Sequence, residues 1–166
     1  MRLLTSSILM ATSALFFSNT INAMTPAFPP KATKVMTQGL NHLGLTVKNL
    51  DASTDFFVNT LGWNNVGGYP DYPSAFVIDG KLFLTLWQTK ADKPTVNFDR
   101  KHNVGLHHLA LTVASLEDLH QLHEMFLRTK DVVIEFAPEP NNGGPTIHMM
   151  IREPSDNRIE FAYRPK

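Results

Sequence analysis

Asn41-His42-Leu43-Gly44-Leu45-Thr46-Val47 recurs 66 positions later as His107-His108-Leu109-Ala110-Leu111-Thr112-Val113. Both copies alternate with period two, placing leucines and valine on one face and His42, Gly44 and Thr46 (or His108, Ala110 and Thr112) on the other. Each is therefore expected to be a strand with one face on a core. A helix signal follows each copy. Asn49-Leu50-Asp51 leads into Ala52, Phe56, Phe57 and Leu61 and is stopped by Gly62. Ser115-Leu116-Glu117-Asp118 resembles a capping box, and Leu116, Leu119, Leu122 and Phe126 make an apolar stripe. Short strand candidates come next: Ala75 to Ile78 and Leu82 to Trp87 in the first half, then Val132 to Phe136, Thr146 to Ile151 and Arg158 to Tyr163 in the second. Solenoids need more than two repeats, so the pattern predicts a duplicated α+β module.

Composition narrows the function classes. The chain has 166 residues, enough for one ordinary domain, with 43% hydrophobic and 18% charged residues. Fifteen Lys and Arg balance 15 Asp and Glu, so the cationic footprint of a nucleic-acid binder is absent. There are no cysteines. Disulfide scaffolds, thiolate metal sites and cysteine nucleophiles are thereby excluded, and any metal must be held by His, Asp, Glu or backbone oxygen.

The amino-terminal residues read as an export signal. Arg2 precedes the uncharged, mostly apolar or small stretch Leu3 to Phe17, and Ser18 to Ala23 runs through small and polar residues. That order predicts a signal peptide over 1–23, cut after Ala23, and a periplasmic or secreted protein. The apolar stretch is too short for a stable membrane span, so none is expected after cleavage. Removing Arg2 leaves 14 basic against 15 acidic residues, a net charge of −1. Residues 24–38 contain Pro26, Pro29 and Pro30 and no apolar period, which predicts an extended leader. One domain is expected over 39–166, with modules of about 39–98 and 104–166.

The two half-repeats resemble the vicinal oxygen chelate superfamily, which includes glyoxalase I, fosfomycin resistance proteins, bleomycin resistance proteins, methylmalonyl-CoA epimerase and extradiol dioxygenases. The likeness is carried by N-H-L-G-L-T-V with its D-x-S-x-x-F-F-x-x-x-L-G-W helix, and by the closing E-P-S-D-N-R-I-E-F. It covers roughly residues 39 to 164. It implies paired βαβββ modules whose mixed sheets curl around a metal-binding cup, one often completed by a second chain, here a homodimer. It further implies metal ligands at His42, His108 and Glu160. The family's second ligand, normally Glu, Gln or His, falls here on Thr85, a departure that leaves two imidazoles and one carboxylate.

Such a set suits a divalent transition metal (Fe, Mn, Zn or Ni) with coordination positions left open for a small-molecule substrate. Strand parity agrees, because His42 and His108 each lie opposite their leucines. One histidine on a polar strand face is commonly just that. Two at equivalent points of a repeat, with a carboxylate in the closing strand, favour ligation. The same parity places Phe83, Thr85 and Trp87 on the cup side of one strand and Thr146, His148 and Met150 on that of another. Phe83, Thr85, Trp87 and Met150 are thus candidate pocket residues, and His148 is the candidate acid or base. His107 is expected on the leucine face or the strand edge, so parity favours His108 as the ligand. His120 and His123 with Glu124 are better explained as an exposed helix face, and His102 as a solvated linker residue.

The expected activity is metal-dependent lyase or dioxygenase chemistry on a small oxygen-bearing molecule, which the aromatic lining suits if it carries a ring. Thr85 cannot serve as the base that the glyoxalase reaction is thought to take from that position. Two alternatives stand beside this: a non-catalytic module sequestering an aromatic compound, and a glyoxalase I-type lyase with an altered second ligand.

Overall fold

The computed structural model describes residues 34–166, so the expected signal peptide and most of the expected leader lie outside the described residues. Lys34 to Gln38 belong to a unit separate from the compact body Gly39–Lys166. Within that body the first module runs β1 (Leu43–Val47), α1 (Leu50–Asp55), β2 (Asn64–Gly67), β3 (Ser74–Ile78) and β4 (Phe83–Gln88). The second repeats the order with β5 (Leu109–Thr112), α2 (Leu116–Phe126), β6 (Val133–Pro140), β7 (Ile147–Arg152) and β8 (Arg158–Tyr163). Each module forms a four-stranded sheet, ordered β1-β4-β3-β2 and β5-β8-β7-β6. This is the expected pair of βαβββ modules in a mixed α+β fold, with sheets that stay open. No helix among the described residues is long and apolar enough to cross a membrane.

The pairing follows from the connections. β1 is parallel to β4 and β5 to β8, while the remaining pairs are antiparallel. A parallel neighbour cannot be reached by a tight turn, and the helix after each first strand supplies the crossover. Side-chain alternation then divides the faces: Leu45 and Val47 are buried, whereas Gly44 and Thr46 are exposed.

Both inner faces feed one core. Phe56 meets Phe126 at a ring separation of 5.9 Å, and Phe126 meets Phe161 at 5.2 Å, so the two modules are joined through their helices. Leu84, Leu86, Met149, Ile151 and Ile159 complete that core with no measurable exposure. Burying each such side chain contributes roughly 1.5–3 kcal/mol.

Local chemistry sets the helix ends. Asn49 caps α1 by accepting from the Ala52 amide at 3.0 Å, and Ser115 caps α2 by accepting from that of Asp118 at 3.0 Å. The helix predicted up to Gly62 is interrupted: Phe56–Thr60 is a π-helical turn, closed by Leu61 N–H donating to the Phe56 carbonyl. The wider turn allows the neighbouring Phe56 and Phe57 both to enter the core, at 1% and 0% exposure. Gly62 then ends the segment in the left-handed region at φ +75°. β2, wholly exposed, carries no apolar period and was not expected.

The E-P-S-D-N segment is a staple between modules. Glu153, 1% exposed, accepts hydrogen bonds from Ser53 Oγ at 2.6 Å and Asn157 Nδ2 at 2.9 Å. Ser155 Oγ accepts from the amides of Lys48 and Asn49, and Asn157 Nδ2 donates to the Thr46 carbonyl. The turn β7–β8 is thereby fixed against the β1–α1 corner. Hydroxyl and amide donors thereby satisfy the buried Glu153 oxygens.

Candidate metal centre

The outer face of the second sheet gathers the ionisable residues. β5 and β8 pair with Ala110 opposite Glu160, so His108 stands diagonally across from that carboxylate. His108 Nε2 lies 3.0 Å from Glu160 Oε2. On the other side of β8, where Met150 pairs with Glu160, His148 Nδ1 lies 2.5 Å from Glu160 Oε1. Glu160 therefore sits between two imidazoles, with its side chain 13% exposed and those of His108 and His148 at 32% and 15%. The His148 ring rests on Phe136 at 5.0 Å. Met150, the cross-strand partner of Glu160, is buried at 4% exposure.

A second layer fixes this group. Arg158 donates from Nη1 to the His107 carbonyl at 3.2 Å, directly beside His108. Its Nε and Nη2 both donate to Glu135 Oε2, at 3.0 and 2.8 Å, while Arg152 Nε lies 3.5 Å from Glu135 Oε1. Burial pushes the Glu135 carboxyl upward, but hydrogen bonds from Arg158 and the charges of Arg158, Arg100 and Arg152 outweigh it and leave the group below its ordinary value. His107 is exposed and stands edge-on to His108 rather than on the leucine face, with rings 5.1 Å apart and their Nδ1 atoms 2.8 Å apart. Lost solvation, then the nearby Arg158 charge, lower its proton affinity.

The first module's outer face is different. His42 is exposed, bonded through Nδ1 to Asn41 Oδ1 at 2.8 Å and edge-on to Phe83 with ring centroids 6.4 Å apart. Its contacts are with neither His108 nor Glu160. Thr85 is 5% exposed, and its hydroxyl accepts from Trp87 Nε1 at 2.9 Å and donates to the Leu43 carbonyl at 3.4 Å. Its proton and one of its lone pairs are thus engaged inside the sheet. Gly44 makes room for this pair, since a Cβ there would come within 3.3 Å of Thr85 Oγ1 and 3.4 Å of Trp87 Nε1.

The donor chemistry of His108 and Glu160 fits a divalent transition metal, because imidazole nitrogen and carboxylate oxygen are the ligands that such ions take. Among the described residues, however, no three His, Asp or Glu side chains of one chain are arranged to hold an ion. His42 stands on the other sheet, so one chain brings together two of the three expected ligands.

Sequence reasoning missed several neighbours. Phe76, on the same face as Phe83 and Trp87, follows from the alternation of β3, in which Ala75 and Val77 are buried. Tyr69 and Tyr72 lie in an aperiodic loop, where no pattern marks them. Glu135 sits next to a register shift in β6, which defeats parity. His120 is exposed on α2, and His102 is exposed and bonded to Asp99 at 2.6 Å.

The solved structures with this fold span several activities. A glyoxylase/bleomycin resistance protein/dioxygenase domain from Frankia sp. EAN1pec is 22% identical over 78% of this chain and 94% of its own, with a TM-score of 0.67. A mutant of the fosfomycin resistance protein FosX from Listeria monocytogenes, complexed with Mn(II) and 1S,2S-dihydroxypropylphosphonic acid, is 17% identical over 78% of this chain and 95% of its own, at a TM-score of 0.63. Lactoylglutathione lyase from Agrobacterium tumefaciens is 20% identical over 82% and 96%, at 0.54. No curated protein matches the sequence. The profile of the Glyoxalase/Bleomycin resistance protein/Dioxygenase superfamily matches residues 39–161, and the chain belongs to that superfamily.

Proposed function

We propose that this protein is an exported, metal-dependent enzyme that acts on a small oxygen-bearing molecule, with His108 and Glu160 of one copy and His42 of a second copy holding the ion. The observation that carries this reading is the convergence of His108 and His148 on Glu160, at 3.0 and 2.5 Å, on the open face of the second sheet. His42, the third expected donor, is exposed and points from a separate sheet. A twofold dimer that sets one copy's first sheet against the other's second sheet supplies it twice over. Export rests on the order of charge, apolar run and small residues in 1–23.

Divalent Fe, Mn, Zn or Ni bound there would act as a Lewis acid on adjacent substrate oxygens. The protein's own residues do the rest. His148 orients Glu160 through its Nδ1 contact, leaving Nε2 to take or give a proton at the substrate. Arg158 and Glu135 hold the His107–His108 peptide in place. Phe83 and Trp87 furnish an apolar wall that excludes water. Thr85 offers no ionisable group, so the hemithioacetal of methylglyoxal and glutathione should be turned over at trace rates only, the loss of a positioned base costing about 10²–10⁴-fold.

A metal-free module that sequesters a ring-bearing compound is the second reading, favoured by the aromatic face around Trp87. Metal analysis of the full-length protein, purified without chelators, separates the two. A stoichiometric transition metal, lost in His108→Ala and Glu160→Gln, supports the enzyme. Metal-free protein that still binds aromatic compounds supports the sequestering module.

A further inference from the structure

Around Trp87, near the end of β4, three aromatic rings gather on the first module's outer face. Tyr72 lies 5.1 Å from the indole and tilted by 41°, Tyr69 lies 6.1 Å away at 34°, and Phe76 lies 5.9 Å away. Tyr69 also meets Phe76 edge-on at 5.2 Å. From there ring contacts run through Phe83, 5.9 Å from Phe76, to His42. The cluster is continuous with the candidate metal ligand. Tyr69 and Tyr72 are nevertheless 58% and 49% exposed, an unusual state for large rings already held in place.

The loop that carries them is built to one shape. A Cβ at Gly68 would lie 2.0 Å from the Ser74 carbonyl oxygen, so only glycine allows this approach. The Tyr69 amide donates to Ser74 Oγ at 2.9 Å, and the Gln88 amide donates to the Pro73 carbonyl at 2.9 Å. Pro70 and Pro73 restrict the backbone further. Rings ordered before a ligand arrives lose little entropy when it binds. The indole N–H is already committed to Thr85. What the cluster offers a ligand is π faces and phenol hydroxyls, with Asp71 as the charged side chain of the loop.

We propose that the loop 68–73 and Trp87 form a preformed stacking site for a planar, uncharged aromatic ring, and that it selects ring-bearing substrates independently of the metal. The inference deepens the proposed function, since it names the substrate class of the same cup. It fails separately from that function, because ring binding needs no metal and metal binding needs no tyrosine.

Full-length protein stripped of metal would be titrated with phenol, cyclohexanol and choline by equilibrium dialysis. Trp87 emission would be followed in parallel in Trp63→Phe, where it is the sole indole. Phenol should bind at least about threefold more tightly than cyclohexanol, perturbing Trp87 emission. Tyr69→Ala and Tyr72→Ala, both surface changes, should each weaken phenol about three- to tenfold and leave metal affinity unaltered. Dialysis on the native chain answers the question even where Trp63→Phe folds poorly. Equal binding of phenol and cyclohexanol, stronger binding of choline, or phenol binding only after metal is restored would each overturn the proposal. So would tyrosine variants that bind phenol normally, or that turn a dimer into a monomer, which would mark these rings as covered by the partner. Loss of metal binding with phenol selectivity intact would instead contradict the proposed function alone.

Discussion

The two modules share strand order, a crossover helix and one merged core, but their outer faces have diverged. The first presents His42 at the edge of an aromatic field, with Thr85 closed off by Trp87 and the Leu43 carbonyl. The second presents Glu160 between two imidazoles, backed by Arg158, Glu135 and Arg152. Burial constrains the inner faces, where any change of volume is felt. The outer faces carry no such constraint, and one specialises in apolar contact while the other keeps the charge. Neither face alone assembles the full ligand set.

The largest expected effect tests the shared core. Phe126→Ala should cost about 3–5 kcal/mol, because the ring touches Phe56 in one module and Phe161 in the other. Chemical denaturation followed by fluorescence and by circular dichroism should give one coincident transition. Separate melting of the modules would break the comparison at its root.

Next come the proposed ligands. His108→Ala and Glu160→Gln should each lower metal affinity by more than the roughly 10–100-fold that loss of an outer-shell partner costs. His107→Ala, whose ring packs beside the centre rather than in it, should retain stoichiometric metal. Competition with a chromogenic chelator measures all three, and the reverse order would shift the assignment by one residue.

Glu135→Gln should cost roughly 1.5–3 kcal/mol at neutral pH, since it removes charged hydrogen bonds to a nearly buried Arg158. The Glu135 carboxyl is held below its ordinary value in the folded protein. Its contribution is therefore full above the usual carboxylate range and is lost as pH falls through the folded value. The stability gap between native protein and variant should narrow in acid. A gap that widens there would reverse the sign.

Thr85→Val removes the bond accepted from Trp87 Nε1 and the one donated to the Leu43 carbonyl, and should cost about 1–3 kcal/mol with metal content unaltered. Loss of metal in this variant would make Thr85 a ligand after all. Smallest of all is His120→Ala, exposed on α2, which should shift stability by less than about 0.5 kcal/mol.

The repeat at Asn41–Val47 and His107–Val113 made the duplication and strand faces legible, because period-two alternation and burial are the same physical fact. Glu160 lies outside the repeat, and only the family resemblance set it beside His108, while strand parity put His148 on the same face as Met150. What stayed hidden had local causes. The π-helical turn at Phe56–Thr60 follows from packing two adjacent phenylalanines, which no periodicity encodes. β2 is held by its pairing with β3 and not by an apolar face. Tyr69 and Tyr72 reach Trp87 through loop geometry set by Gly68. The repeat put His42 and His108 in different modules, but sequence spacing could not tell whether the two outer faces meet within one chain, since that depends on how the modules pack.

Because His42 lies apart from His108 and Glu160, the proposed site needs two copies, and complementation shows whether it does. His42→Ala and Glu160→Gln would each be purified alone, then unfolded together, co-refolded in equal amounts and assayed for bound metal. Alone, each should retain none. In the mixture, half the dimers should pair one of each variant, and each of those should regain one intact site, so about one site in four fills with metal. A mixture that holds no more metal than its components would rule out a site shared between two copies.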